Sequence, residues 1–143
     1  MQPVTAYRPH ALLALVLSNG LGGTLAPSYA LAADRLTPGR HQIVATKAGG
    51  KPTTFQQCVD AGRAKAVSGN AAVGRAAAQT DAEELGCVLK SYELTGDTIN
   101  QAMVCGGATT TSRATYRGDS SEDDQAAQGA TAHWVAKRIG SCK

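Results

Sequence analysis

The chain has 143 residues, a length that suits a single domain. Lysine and arginine number 14 against 11 aspartate and glutamate residues, which gives a formal net charge of +3. These charges are spread along the chain without a basic block, and a nucleic-acid-binding protein, which needs a clustered basic surface, is therefore not expected.

The N-terminal segment, residues 1–32, has the features of a cleavable secretory signal. A basic start without acidic residues precedes an apolar run at residues 11–17. Because a membrane-spanning helix needs roughly 20 apolar residues, this run is too short to be one, and small residues at alternate positions follow it. We predict cleavage after Ala30 or Ala32. Residues 33–143 would then form one mature domain in the periplasm or outside the cell, with no membrane span.

Two strands joined by a turn are predicted at the beginning of the mature domain. Residues 41–47 alternate apolar and polar side chains, and residues 53–59 are rich in residues that favour strands. The glycines and the proline of residues 49–52 indicate a turn between them. We expect the two strands to pair as an antiparallel hairpin.

Residues 60–86 predict an alanine-rich helical insert. Asp60 can cap a short helix that extends to about Val67. Thr80 and Glu83 have the spacing of a capping box, in which each side chain satisfies a backbone amide of the other residue. This spacing places a helix start at Thr80.

A second hairpin is predicted on both sides of Gly96. With Gly96 as the midpoint of the turn, Cys87 faces Cys105. Closer to the turn, Glu93 then faces Ile99. A two-residue turn that starts at Gly96 would shift this register by one residue and move the cysteines out of opposition.

Two more strands are predicted in the last third of the chain, at residues 108–117 and 131–139. Residues 120–128, which lie between them, are polar and acidic and have poor strand character. We interpret the acidic run at residues 122–124 as a solvated turn, because it lacks the glycine and the spaced oxygen ligands of a calcium-binding loop.

Closely spaced strands joined by turns predict a fold that is mostly β, or loosely α+β. We expect an antiparallel β meander that curls toward a half-barrel and carries one alanine-rich helical insert. Aromatic residues make up only 4% of the chain. Because small side chains bury little apolar area, the core should be thin and should depend on covalent cross-links.

The four cysteines all follow the predicted signal and indicate two disulfides. No two of them stand close together in sequence, whereas zinc ligands usually come in close pairs. The hairpin register favours a bond between Cys87 and Cys105, which leaves Cys58 for Cys142. The alternative joins Cys58 to Cys87 and Cys105 to Cys142.

Short motifs along the chain give it a resemblance to a known family. They are Leu36-Thr37-Pro38-Gly39, Gln57-Cys58, Cys87, Thr95-Gly96-Asp97-Thr98, Met103-Val104-Cys105, Tyr116-Arg117-Gly118-Asp119-Ser120 and Lys137-Arg138-Ile139-Gly140-Ser141-Cys142. In this order they resemble the bacterial exported proteins grouped as domain of unknown function 3617, over nearly all of the mature chain. The resemblance implies an exported, β-rich domain and brings no known activity or catalytic residue with it. The chain differs from that pattern at His41, where members usually carry tryptophan.

His41 and His133 are the candidate metal ligands of the mature chain. A lone histidine in a strand is more often a strand residue than a ligand, and no catalytic constellation or phosphate-binding loop is present. We therefore predict no catalytic residue, no metal site and no cofactor.

The expected function is that of a non-catalytic periplasmic binding or interaction module. Its partner would be a small apolar ligand or an envelope protein. The alternative is a periplasmic metal-binding protein or enzyme that uses His41 and His133.

Overall fold

The structure is a computed structural model that describes residues 34–143. The predicted signal peptide at residues 1–32 and its two cleavage sites lie outside the described residues.

Seven strands and two helices form the described part of the chain. They are β1 (Gly39–Lys47), β2 (Thr53–Val59), α1 (Ala61–Ser68), α2 (Ala71–Glu84), β3 (Cys87–Thr95), β4 (Thr98–Cys105), β5 (Ala108–Tyr116), β6 (Ser120–Ala127) and β7 (Ala130–Gly140). The strands make one antiparallel sheet in the order β2-β1-β7-β6-β5-β4-β3. The sheet is not closed, and β2 and β3 are its edges. The predicted mostly β fold with a helical insert is confirmed.

The sheet combines a local meander with one distant pairing. Strands β3 to β7 pair in chain order, whereas β1 pairs with β7 across almost the whole described chain. In that pairing Ile43 lies opposite Ala136, and an irregularity between Arg40 and His41 shifts the register once. The predicted hairpin of β1 and β2 is present, with Ile43 opposite Phe55.

The β3–β4 hairpin reconciles a two-residue turn with facing cysteines. Gly96 has φ 58°, the left-handed conformation that glycine adopts at the first central position of a type II′ turn. The turn places Leu94 opposite Ile99, so the predicted pairing of Glu93 with Ile99 is wrong. A bulge between Leu89 and Ser91 then absorbs one residue, and the strands beyond it return to the predicted register.

The helical insert contains two helices, and the predicted capping box is wrong. The side chain of Asn70 accepts a hydrogen bond of 3.0 Å from the amide of Val73 and caps α2. Thr80 lies inside α2, where its hydroxyl donates to the carbonyl of Ala76 at 3.2 Å. The asparagine cap at Asn70, ten residues before Thr80, therefore begins the helix, and the Thr80–Glu83 spacing does not. Within residues 34–143, neither helix is long and apolar enough to cross a membrane.

The acidic segment forms β6, the middle part of the sheet, and the turn interpretation is wrong. Asp123 lies opposite Ala114 of β5 on one side and opposite Trp134 of β7 on the other. Both neighbouring strands supply hydrogen bonds to the β6 backbone, and this pairing overrides the low strand propensity of its polar residues.

The core is thin, as its composition predicts, and lies between the helices and the sheet. One cluster joins Leu36, Val67 and Ile99. A second joins Ala82 of α2 to Cys87 and Leu89 of β3. The sheet face that carries the helices is called the inner face below, and the opposite face is called the outer face.

Two disulfides link distant and local parts of the chain. Cys58 is bonded to Cys142 and Cys87 to Cys105, with Cα atoms 5.6 and 4.3 Å apart. Of the two pairings that the sequence leaves open, the structure has this one. The first bond joins the edge strand β2 to the chain after β7, and the second spans the β3–β4 hairpin.

Candidate functional site

A cleft lies between the helices and the inner face of the sheet, and we call it the inner cleft. It has a lobe of about 190 Å³ beneath the helices and a lobe of about 320 Å³ toward β1 and β2. Six residues line both lobes: Arg63, Val67, Ala114, Tyr116, Asp123 and Gln125. Five neighbouring strands of the sheet, β2, β1, β7, β6 and β5, line the second lobe together with α1.

The floor of the inner cleft is polar. Ser112 of β5 donates a hydrogen bond of 2.7 Å to Oδ1 of Asp123. Gln125 donates one of the same length to Oδ2. Along β6 the side chains alternate between the two faces, so the half-buried Asp123 and Gln125 point inward, whereas Asp124 is exposed on the outer face.

An aromatic wall stands beside this polar floor. Trp134 lies directly opposite Asp123 across the β6–β7 pair, a position in which facing side chains approach closely. The ring of Phe55 meets the indole edge-on, with centroids 5.9 Å apart and planes at 87°. Trp134 Nε1 is buried and makes no hydrogen bond with any described residue.

An ion pair forms part of the roof of the cleft and joins the two helices. The guanidinium of Arg63 in α1 contacts the carboxylate of Asp81 in α2. Both side chains are about half exposed, so the pair contributes little to stability. It does orient Arg63, whose side chain lines both lobes.

Two tyrosines face the cleft from the sheet. Burial raises the pKa of Tyr116 above its usual value, although the nearby charge of Arg63 opposes this shift. Burial also raises the pKa of Tyr92, against the charges of Arg35 and Arg63. Both hydroxyls therefore stay protonated at neutral pH and can donate or accept hydrogen bonds in the cleft.

Arg35 holds α1 over the sheet. Its side chain donates to the carbonyls of Val67 at 3.0 Å and Ser68 at 3.1 Å, and it also contacts the carbonyl of Gly69. These groups end α1, where a helix lacks internal partners for its carbonyls and favours a cation. The backbone next to Arg35 is tied to the β5–β6 turn, since the amide of Gly118 donates to its carbonyl at 2.9 Å.

The two candidate histidines do not come together. His41 is 1% exposed on the inner face, and its Nε2 donates to the carbonyl of Thr37 at 2.9 Å. His133 lies on the outer face, where Nδ1 is 2.7 Å from a carboxylate oxygen of Asp124. Among residues 34–143, no group of three or more histidine, cysteine or acidic side chains could hold a metal ion.

Sequence reasoning missed the part of β6 that lines the cleft. Glu122 and Asp124 face outward while Asp123 and Gln125 face inward, so polar residues stand on both sides of the strand. The usual alternation of apolar and polar residues is therefore absent, and no period of two marks the strand. One available signal is the position of these residues between two strongly predicted strands.

The fold and the cleft define a class of small, disulfide-linked antiparallel sheet proteins with a helix pair over one face. The chain belongs to the family described as Protein of unknown function (DUF3617), whose model matches residues 36–142. No curated protein and no solved structure is similar enough to count as a match.

Proposed function

We propose that this protein is a non-catalytic, extracytoplasmic binding module that holds a small ligand in the inner cleft. The observation that carries the proposal is the polar floor around Asp123. A face that served only to pack helices would be expected to carry apolar side chains at these central positions. Here serine, aspartate and glutamine occupy them and line open space instead.

The composition of the cleft suits an amphipathic ligand. Small-molecule sites usually combine apolar and aromatic walls with a few convergent polar groups. Ile43, Phe55 and Trp134 supply the apolar side. Asp123 and the hydroxyl of Tyr116 supply the polar side. The small apolar ligand expected from the sequence suits this floor less well.

The compartment is supported by the two disulfides and the N-terminal sequence pattern. Structural disulfides persist where the environment is oxidising. The described chain has no free cysteine, as expected for a protein that matures outside the cytoplasm.

A metal site or enzyme centred on the two histidines has no support from the geometry. His41 and His133 lie on opposite faces of the sheet, and each is already hydrogen-bonded to a neighbour. A binding module is therefore the only function that we propose.

Native mass spectrometry of protein purified from the periplasm tests the proposal. We expect an additional bound mass that disappears on denaturation. Ala136→Phe places a large ring in the wider lobe, which Ala136 lines, and should abolish the bound mass. The same change at Ala126, which is exposed on the outer face, should leave it unchanged.

A bare chain in every native spectrum, together with no cleft binding by any added compound, would overturn the proposal. Circular dichroism of both variants shows whether they fold. This check separates a blocked cleft from an unfolded protein.

A further inference from the structure

Asp123 is a carboxylate without a cationic partner. Within the part of the chain that the structure describes, no lysine, arginine or histidine nitrogen lies within 4.0 Å of its oxygens. Its two hydrogen bonds come from the neutral groups of Ser112 and Gln125. A half-buried charge in this position is costly unless a compensating charge joins it.

The arginine in the lining of the inner cleft already has an acidic partner and does not compensate the charge of Asp123. Arg63 lines both lobes of the inner cleft, but its guanidinium is paired with Asp81. Arg63 and Asp81 carry opposite charges, so the charged side chains that line the cleft sum to a single negative charge, with Asp123 as the unpaired acid. This charge balance favours a positive group beside Asp123 over a negative one.

The wall beside Asp123 suits the same kind of group. Trp134 faces Asp123 directly across paired strands, and Phe55 packs against the indole. Indole faces attract ammonium groups, and this attraction strengthens where water is excluded. A carboxylate next to two aromatic rings in edge-on contact thus suits a cation that carries an apolar body.

We propose that the ligand of the inner cleft is an organic amine, whose ammonium group binds Asp123 while its apolar part packs against Trp134 and Phe55. This inference rests on the proposed binding function and specifies its ligand class. The lobe of about 320 Å³ that contains both aromatic residues receives the apolar part. The ammonium group donates to the carboxylate oxygens from the open side of the cleft.

Three probes that share a phenyl ring and a two-carbon linker test the charge preference. They are phenethylammonium, 2-phenylethanol and 3-phenylpropionate. Titration followed by amide NMR should show that phenethylammonium shifts the signals of cleft residues. The alcohol should bind roughly 10-fold to 100-fold more weakly, and the carboxylate should not bind.

Asp123→Asn is the matching variant, since it removes the charge and nearly preserves the shape. We expect it to weaken phenethylammonium binding by roughly 10-fold to 100-fold and to leave the alcohol unaffected. Asp124→Asn makes the same change on the adjacent residue, whose side chain lies on the outer face, and should have no effect. If Asp123→Asn does not fold, the comparison of the three probes on the unchanged protein still decides.

The outcomes separate this inference from the proposed function. If the alcohol or the carboxylate binds in the cleft as tightly as the amine, the binding function stands and the amine assignment is overturned. If none of the probes binds in the cleft and the native spectra show no bound mass, both are overturned.

Discussion

At the scale of single residues, the inner cleft depends on side chains whose chemistry is set by burial. Tyr116 lines both lobes and has a pKa raised by desolvation, because the ionised phenolate is disfavoured away from water. The protonation of the Tyr116 hydroxyl therefore links the cleft to the stability of the fold at alkaline pH.

Tyr116 should make the free energy of unfolding fall at alkaline pH. The folded pKa lies above the unfolded value of 10.0. The contribution of Tyr116 is therefore fully present below about pH 10 and is lost as the pH rises through the folded pKa. Urea denaturation of the protein and of Tyr116→Phe between pH 8 and pH 11 measures the difference. An equal decline in both proteins would contradict the assignment.

Gly74 sets how closely α2 approaches the sheet. A Cβ atom at this position would lie 2.0 Å from the hydroxyl oxygen of Tyr92. Gly74→Ala should destabilise the protein by roughly 1–3 kcal/mol through this overlap, although alanine is the better helix former. Thermal or urea denaturation measures the loss.

Removing the Tyr92 hydroxyl is the control for this prediction. Gly74→Ala combined with Tyr92→Phe should recover part of the lost stability. The stability of Tyr92→Phe alone allows the coupling between the two positions to be calculated. Additive effects would mean that the overlap with Tyr92 is not the cause of the loss.

At the scale of elements, the two disulfides act on very different lengths of chain. The bond between Cys58 and Cys142 closes a separation of 84 residues, and that between Cys87 and Cys105 closes 18. A cross-link restricts the unfolded chain more when it closes a longer loop.

Replacing the cysteine pairs by alanine should therefore cost unequal amounts. Loss of Cys87–Cys105 should cost about 3 kcal/mol, and loss of Cys58–Cys142 about 1 kcal/mol more. Urea denaturation of the two double variants measures both values. If the hairpin variant is the less stable one, packing of the buried sulfur of Cys87 outweighs chain entropy and the prediction is wrong.

The elements that the sequence predicts correctly are those with a local signal. Gly96 and its flanking β-branched residues mark the β3–β4 hairpin, and Asp60 marks the start of α1, where it accepts from the amide of Arg63 at 2.7 Å. The bulge at Lys90 leaves no such mark. The bulge is needed because the register set by the two-residue turn differs by one residue from the register that places Cys87 opposite Cys105.

The candidate site was not predictable, because non-local contacts create it. Nothing near Asp123 in sequence indicates that Trp134 will lie opposite it, since this pairing depends on the β6–β7 register. In the same way, Arg63 of α1 and Asp81 of α2 meet only when the two helices pack against each other. The sequence of β6 correctly indicates polar residues of low strand propensity. It cannot show that β5 and β7 will pair with this segment on both sides.

At the scale of the whole molecule, the predicted export can be tested by the mass of the mature chain. After expression with its own N-terminus in an exporting bacterial host, the chain should begin at Leu31 or Ala33. Its denatured mass should be four hydrogens below the reduced value, which corresponds to the two disulfides. A chain that still begins at Met1 would contradict the signal-peptide prediction.

The strand order has a consequence for how the sheet is completed. Read from β3, the sheet runs β3-β4-β5-β6-β7-β1-β2, which is the order of a plain up-and-down meander rotated cyclically along the chain. As a result, the β1–β2 hairpin stands at the end of the sheet order but at the beginning of the chain order. Among the described strands that hairpin comes first in the chain and its partner β7 comes last, so one of its edges stays unpaired until β7 has been synthesised. Because such distant pairings slow folding, a circular permutant that begins at β3 and joins residue 143 to residue 34 should fold faster, since it makes the β1–β7 pairing local and keeps Arg35, Leu36 and Cys142 in the chain.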